Sequence, residues 1–141
     1  MGRLVGLDVG DARIGVAVAD ELGITAHGLG VIERSNLAAD LKRLAEFLAE
    51  YPPARFVVGL PLNMNGSTGP QAQKVHAFAR ELERYFQVPV DTWDERLTTV
   101  EADRTLMELG VSGRKRRGLV DKLAAALILK GYMDHQAGAG R

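Results

Sequence analysis

Residues 3–19 read RLVGLDVGDARIGVAVA, two short apolar runs separated by a glycine–aspartate pair. The first run, which ends at Val9, predicts a buried strand, and the pair that follows it is a strong turn signal. The second run, 14–19, predicts a strand that returns against the first as a hairpin. A third apolar stretch at 24–33 predicts another strand after a short turn. The chain is therefore expected to open with three antiparallel strands.

Beyond residue 35 the apolar spacing alternates between helical and strand periods. In chain order the pattern predicts a helix over 37–51 capped by Ser35 or Asn36, a strand over 55–59, a helix from Pro70 to about Phe86, a strand over 88–93, a helix over 97–109 and a helix over 119–135. Strands that are joined through helices run parallel, with right-handed crossovers. The sequence predicts one α/β domain over 1–135, a five-stranded mixed sheet with its first three strands antiparallel and helices on both faces. A disordered tail is expected over 136–141.

Composition restricts the possible classes of protein. A chain of 141 residues is most simply a single domain. The absence of cysteine excludes disulfides, zinc–thiolate sites and a thiol nucleophile, and it suits a reducing compartment. Early aspartates interrupt any signal-peptide core, and the longest apolar run, 123–129, is too short to cross a bilayer. A cytoplasmic location with no membrane partner is therefore expected.

Three carboxylates stand at places that a fold could bring together. Asp8 lies near the end of the first apolar run, Glu95 ends a later one, and Asp121 opens an unusually apolar helix. An aspartate on a central strand is costly to bury unless it is paired or bound to metal. Oxygen ligands of this kind suit a hard divalent cation. The residues predict a site for one or two Mg²⁺ or Mn²⁺ ions.

Each acid also has a simpler interpretation, and the residues alone leave it open. Asp8 could be a hydrogen-bonded turn aspartate, and Glu95 could be a surface acid paired with Arg96. Asp121 could merely stabilise the positive start of its helix.

Cations close to the third acid suggest a nucleic-acid substrate. The basic run Arg114–Arg117 and Lys122 could hold phosphates, although the net charge of the chain is zero and such a run is by default a solvated loop. The polar segment 63–69 could be a mobile strip that touches substrate or simply a loose loop. The candidates for nucleic-acid contact are Arg13, Arg96, Arg114, Lys115, Arg116, Arg117, Lys122, Asn63 and Asn65. Acids for metal beside cations for phosphate predict phosphodiester chemistry.

Four blocks of sequence, in this order, resemble the bacterial YqgF family, also called RuvX. The blocks are GLDVG with RIGVAVAD (6–10 and 13–20), VGLPLNMNGS (58–67), DERLTT (94–99) and VDKLAAALIL (120–129). The resemblance implies a ribonuclease H-like fold and a divalent-metal nuclease. Carried over by position, Asp8, Glu95 and Asp121 match the family's catalytic acids. Ribonuclease H-like nucleases often use a fourth acid, for which Asp94 and Asp11 are guesses.

Members of that family are described as Holliday-junction resolvases and as nucleases that trim the 5′ end of pre-16S rRNA. The leading hypothesis is therefore a metal-dependent endonuclease on structured nucleic acid, with precursor rRNA favoured over a four-way junction. A junction would require a homodimer because two strands are cut symmetrically, whereas a monomer suffices for rRNA. A phosphotransferase of the actin/sugar-kinase type needs a second domain, which this chain is too short to hold. A non-catalytic, ribosome-associated binding module is the remaining alternative.

Overall fold

The computed structural model describes residues 2–95 and 113–139, with side chains described over 2–95 and 123–136. The helix predicted over 97–109 lies outside the described residues. No helix in the described part of the chain is both long and apolar enough to span a bilayer.

In the part of the chain that the structure describes, a mixed sheet of five strands forms the centre of the fold. The strands are β1 Arg3–Val9, β2 Arg13–Ala19, β3 Ala26–Glu33, β4 Pro53–Leu60 and β5 Val90–Asp94, in the spatial order β3-β2-β1-β4-β5. β2 is antiparallel to both β1 and β3, which confirms the predicted antiparallel start. β4 is parallel to β1, and β5 is parallel to β4, as crossovers through helices require. The carboxyl ends of β1, β4 and β5 therefore share one edge of the sheet.

Within the described residues, three helices cover the sheet: α1 Leu37–Phe47, α2 Pro70–Phe86 and α3 Gly113–Ala139. The side chain of Asn36 caps α1 by accepting the Ala39 amide at 2.9 Å. α2 starts and stops where the sequence predicts, because Pro70 suits a first helical position and Gln87 adopts a left-handed φ of 57° at its end. α1 stops before the predicted 51, since its last amides tighten into three-residue turns as the chain enters β4.

The boundaries predicted for the last helix are wrong at both ends. α3 begins at Gly113 rather than 119, so Asp121 lies about two turns inside the helix and does not open it. The basic run Arg114–Arg117 consequently belongs to the helix and not to a loop. Arginine, lysine and leucine are strong helix formers, and an interior glycine costs only about 1 kcal/mol. The helix also continues to Ala139 rather than ending at the predicted 135.

The alternation of side chains along the strands builds a separate core on each face of the sheet. On one face, apolar side chains of the strands pack with those of α1 and α2 around the fully buried Phe56. On the other, small residues such as Ala17 and Val57 meet the apolar stretch of α3 from Ala125 to Met133. The prediction of helices on both faces is confirmed.

α3 packs close to the sheet because Gly6 of β1, which has no side chain, faces the helix. A Cβ atom at Gly6 would lie 2.8 Å from the Cβ of Leu129 and 2.9 Å from the carbonyl oxygen of Ala125. Further along, Ile128 lies over Gly59 near the end of β4, while Tyr132 reaches Asp91 near the start of β5. The helix thus runs against the direction of these strands, and its amino-terminal half extends toward their carboxyl edge.

Candidate active site

Asp8 occupies the central strand of the sheet, close to its carboxyl end. It follows Gly6 by two residues, so both face the side of the sheet that α3 covers. Its side chain is half-buried, and its cross-strand partner on β2 is Gly15, which leaves space beside the carboxyl. A carboxyl here is held on a rigid element while one side stays accessible.

Glu95 immediately follows β5 and is tied to the neighbouring strand. Its amide donates to the carbonyl of Leu60 at 3.2 Å, which fixes it at the end of β4. Its side chain lies over Gly59, where a Cβ atom would overlap both Glu95 Oε2 and Ile128 Cδ1. The absence of a side chain at position 59 is therefore what gives the Glu95 carboxyl its place on the α3 side.

The carboxyls of Asp8 and Glu95 hydrogen-bond to each other. The pKa of Glu95 is raised to about 8, chiefly by burial, with smaller contributions from the charge of Asp8, the hydrogen bond to it and the charge of Asp94. Two carboxyls in contact must share a proton or a cation, because two bare negative charges would repel. At neutral pH the pair consequently holds one proton.

One oxygen atom of this pair lacks a hydrogen-bond partner among the described residues. The atom is Glu95 Oε2, which is buried. A buried acceptor left in this state costs about 1–3 kcal/mol. A hard divalent cation, which prefers carboxylate oxygens, would satisfy Oε2 and take the place of the shared proton. The two residues therefore fit a metal, although no group of three or more His, Cys, Asp or Glu suited to one occurs among the side chains described.

For the third predicted acid, Asp121, the structure describes the backbone but not the side chain. Residue 121 lies in α3, four residues before Ala125, which contacts β1 at Gly6. The described side chains do not include that of residue 121 or those of Arg114, Lys115, Arg116, Arg117 and Lys122. Arg96 lies outside the described residues altogether. Of the three predicted acids, Asp8 and Glu95 are the two whose side chains the structure brings together.

The remaining predicted contacts lie at the same edge of the sheet. Arg13 begins β2 beside the end of β1 and is half-buried. Asn63 and Asn65 are exposed and organise the loop after β4: Asn63 Nδ2 donates to Ser67 Oγ at 2.9 Å, and Asn65 Oδ1 accepts the Ser67 amide at 3.0 Å. The segment is therefore a hydrogen-bonded turn, and its contact with substrate stays a prediction.

The two suggested fourth acids differ in their surroundings. Asp94 ends β5, is exposed, and its charge contributes to the raised pKa of Glu95. Asp11 is exposed in the turn after β1, where Lys74 Nζ lies 3.5 Å from its Oδ1. Of these two acids, Asp94 is therefore the one whose negative charge affects the carboxyl pair.

Sequence reasoning missed two features of the fold around the pair. Gly59 looks like an ordinary strand residue, and nothing in the local pattern signals that a side chain must be absent there. Asp40 is buried in α1, three residues after Leu37 and four before Leu44, so a charge on an apolar face could have been noticed. Its partner Arg34 follows β3 directly.

Residues 2–135 match the model of a protein family described as RuvX, Holliday junction resolvase. The chain belongs to the RuvX family. It is a nuclease, and the phosphotransferase alternative is wrong.

Curated relatives extend over nearly the whole of this RuvX chain. A protein of Moorella thermoacetica is 55% identical over 132 residues, 94% of this chain and 94% of the relative. One of Desulforamulus reducens is 50% identical over 135 residues, 96% of this chain and 98% of the relative. Both carry the name "Putative pre-16S rRNA nuclease".

Solved resolvases share the fold of this RuvX protein. RuvC of T. thermophilus, in complex with a Holliday junction substrate, is 20% identical with a TM-score of 0.59, covering 98% of this chain and 97% of that one. The Fowlpox virus resolvase, in complex with Holliday junction DNA, is 12% identical with a TM-score of 0.53, covering 95% and 98%. The fold is accordingly ribonuclease H-like, as the family resemblance implies.

Proposed function

We propose that this RuvX protein is an endonuclease that requires Mg²⁺ or Mn²⁺ and hydrolyses phosphodiester bonds in structured nucleic acid, with the 5′ end of pre-16S rRNA as its substrate. The observation that carries the proposal is the pair of touching carboxyls, Asp8 and Glu95, with one buried oxygen lacking a partner among the described residues. The pair stands at the carboxyl edge of the sheet, where ligands of open α/β folds bind.

Asp8 and Glu95 would hold the divalent cation, and Asp121 is proposed as the third ligand. A cation there would supply a water of lowered pKa and a stabilising charge for the leaving oxygen. The position of residue 121 supports its role, because it lies one helical turn before Ala125 on the part of α3 that extends toward the end of β1. β1, β5 and α3 thus provide three rigid supports for three carboxylates.

Cations on α3 are proposed to hold the substrate. Arg114–Arg117 and Lys122 lie in the same amino-terminal part of the helix as Asp121. Because the chain has 18 basic and 18 acidic residues, attraction to nucleic acid must be local. Arg13, Arg96, Asn63 and Asn65 are proposed as further contacts, since those within the described residues lie at the same edge.

The names of the relatives favour precursor rRNA as the substrate, and a monomer in the cytoplasm would suffice for that reaction. The titles of the structural neighbours refer to Holliday junctions, so cleavage of a four-way junction by a homodimer is the second candidate.

The test is a parallel digestion of precursor rRNA, a four-way junction and a linear duplex, each with Mg²⁺, Mn²⁺ or a chelator. We expect metal-dependent cleavage of precursor rRNA and complete loss of cleavage in Asp8→Asn, with substrate binding and fold retained. Asp134→Asn is the matched control, because Asp134 is exposed on α3 and pairs with Lys130 of the same helix. Cleavage retained by Asp8→Asn, or unaffected by chelator, would contradict the proposal.

A further inference from the structure

A half-buried arginine, Arg34, pairs with a buried aspartate, Asp40, on the side of the sheet that faces away from the carboxyl pair. Asp40 of α1 is 1% exposed and is the one buried charged residue among the described side chains. Its Oδ2 accepts Arg34 Nε at 3.1 Å, and its Oδ1 accepts the Ser35 amide at 2.9 Å. A charge pair that is desolvated on its acidic side contributes little net stability compared with apolar residues of similar volume. The buried Asp40 carboxylate therefore calls for a role other than filling space.

Arg34 also binds the turn that joins β1 to β2. Its Nη1 donates to the carbonyl of Gly10 at 2.8 Å, and its own amide donates to the carbonyl of Ala12 at 2.9 Å. The Gly10 amide closes the same turn by donating to the carbonyl of Arg13 at 2.8 Å. One residue thus holds two carbonyls of the turn that follows Asp8 by two positions.

The guanidinium is itself fixed on both sides. Its carbon lies 5.2 Å from the ring centre of Phe78 on α2, and its Nε is held by Asp40 on α1. The planar guanidinium of Arg34 therefore links both helices, α1 and α2, to the carbonyl of Gly10 at the end of β1. Arg34 lies on the α1 and α2 face, whereas Asp8 points to the α3 face, so the backbone of β1 and its turn is the connection between them.

We propose that Arg34 and Asp40 are positioning residues, which hold the end of β1 so that the Asp8 carboxyl stays against that of Glu95. The inference rests on the proposed function, which assigns to this pair both the metal site and the cleavage. Reacting groups misplaced by about 1 Å can lose roughly a hundredfold in rate. A role in stability alone would leave the rate constant unchanged in a folded variant.

Arg34→Lys separates positioning from stability. A lysine keeps a positive charge beside Asp40, but its single ammonium does not reproduce the two diverging donors that reach Asp40 and Gly10. Arg55→Lys is the matched control. Arg55 Nη1 lies 2.9 Å from Asp91 Oδ2, in a pair toward the opposite ends of the strands.

The experiment measures melting temperature, Mn²⁺ affinity of the metal-free protein by calorimetry, and kcat and KM for precursor rRNA. For Arg34→Lys we expect kcat to fall roughly 10- to 100-fold with KM nearly unchanged, and Mn²⁺ binding to weaken several-fold. Arg55→Lys should change neither quantity, whatever its melting temperature.

A folded Arg34→Lys protein that keeps both kcat and Mn²⁺ affinity would overturn the inference. If that variant does not fold, Arg34→Met combined with Asp40→Leu keeps the core filled and leaves the Gly10 carbonyl unheld. Unchanged Mn²⁺ affinity and kcat in that double variant would equally overturn it. Absence of cleavage by the wild type would refute the proposed function, whereas the Mn²⁺ titration would still test the positioning role.

Discussion

At the scale of single residues, the chemistry of the site depends on how close two carboxyls lie. The sequence identifies Asp8 and Glu95 as acids at the ends of apolar runs, and it also allows each to be an ordinary surface acid. Their contact arises from strand order and from the hydrogen bond between Glu95 and Leu60, neither of which local sequence encodes. The incomplete environment of Glu95 Oε2 is likewise visible only in three dimensions.

The raised pKa of Glu95 predicts how stability depends on pH in the metal-free protein. The folded state holds a proton up to a pKa of about 8, whereas the unfolded chain releases it near its ordinary value of 4.5. This contribution to stability is fully present below about pH 4.5 and is lost as pH rises to about 8. Relative to Glu95→Gln, the wild type should therefore lose unfolding free energy on the order of a few kcal/mol across that range.

Urea denaturation at several pH values between about 5 and 8.5 measures this difference. Glu81→Gln is the control, because Glu81 lies on α2 and pairs with Arg84 at the surface. A wild-type curve parallel to that of Glu95→Gln would show that the carboxyl titrates normally.

Gly59→Ala should damage the site more than its size suggests. The new methyl group would overlap Glu95 Oε2 and crowd Ile128, so we expect a loss of about 1–3 kcal/mol in stability and displacement of the Glu95 carboxyl. Gly6→Ala is the comparison, since its methyl meets Ala125 and Leu129 of α3 but not Glu95. Denaturation and Mn²⁺ calorimetry separate the two effects: both variants should lose stability, and Gly59→Ala should lose more Mn²⁺ affinity. Equal affinity in the two variants would contradict this interpretation.

At the scale of helices and strands, the periodicity of hydrophobic residues along the chain predicts most of the fold. The hairpin of the first two strands and the Pro70 start of α2 follow from local chemistry, and the structure confirms them. The start of α3 does not, because a basic run followed by Gly118 has the composition of a loop, while in the protein a helix continues through it. Helix propensity in that segment outweighs the cost of one glycine.

The basic first turns of α3 lead to a prediction about salt. Replacing Arg114, Lys115, Arg116 and Arg117 with glutamine keeps helix propensity and removes four charges. Binding of precursor rRNA should weaken, and the slope of log affinity against log salt should flatten by about 0.7–0.9 for each phosphate that the variant no longer neutralises. Filter binding to Asp8→Asn protein at several salt concentrations measures the slope without cleavage.

The control for this experiment replaces Arg80 and Arg84 of α2 with glutamine, which removes surface cations from a different helix. If the salt slope changes equally in both proteins, the effect is one of net charge and the α3 run has no special contact with substrate.

At the scale of the whole molecule, the parallel arrangement of β1, β4 and β5 is what gathers the acids. Because the carboxyl ends of these strands meet at one edge, residues 8 and 95 become neighbours although the sequence separates them widely. Because α3 crosses the same strands in the opposite direction, residue 121 lies toward that edge. Sequence reasoning predicted the class of fold, which is confirmed, and it named the acids, whose roles stay a prediction. It could not predict Gly59 or the Arg34–Asp40 pair, which depend on packing between distant segments.

A cation bound only by the folded protein should stabilise the whole domain. At a Mn²⁺ concentration about a hundred times the dissociation constant, the gain is roughly 2.7 kcal/mol, seen as a rise in melting temperature. Glu95→Gln should show a much smaller rise. An equal rise in both proteins would place the metal elsewhere.

Crystals of the protein grown or soaked with Mn²⁺ show whether a metal binds between Asp8 and Glu95, through the anomalous scattering of the ion. We expect an anomalous peak within coordination distance, about 2.0–2.6 Å, of carboxylate oxygens of both Asp8 and Glu95. The same peak should be absent from Asp8→Asn crystals treated identically. Saturating Mn²⁺ that leaves this position without a peak, with the two carboxyls still sharing their proton, would contradict this expectation.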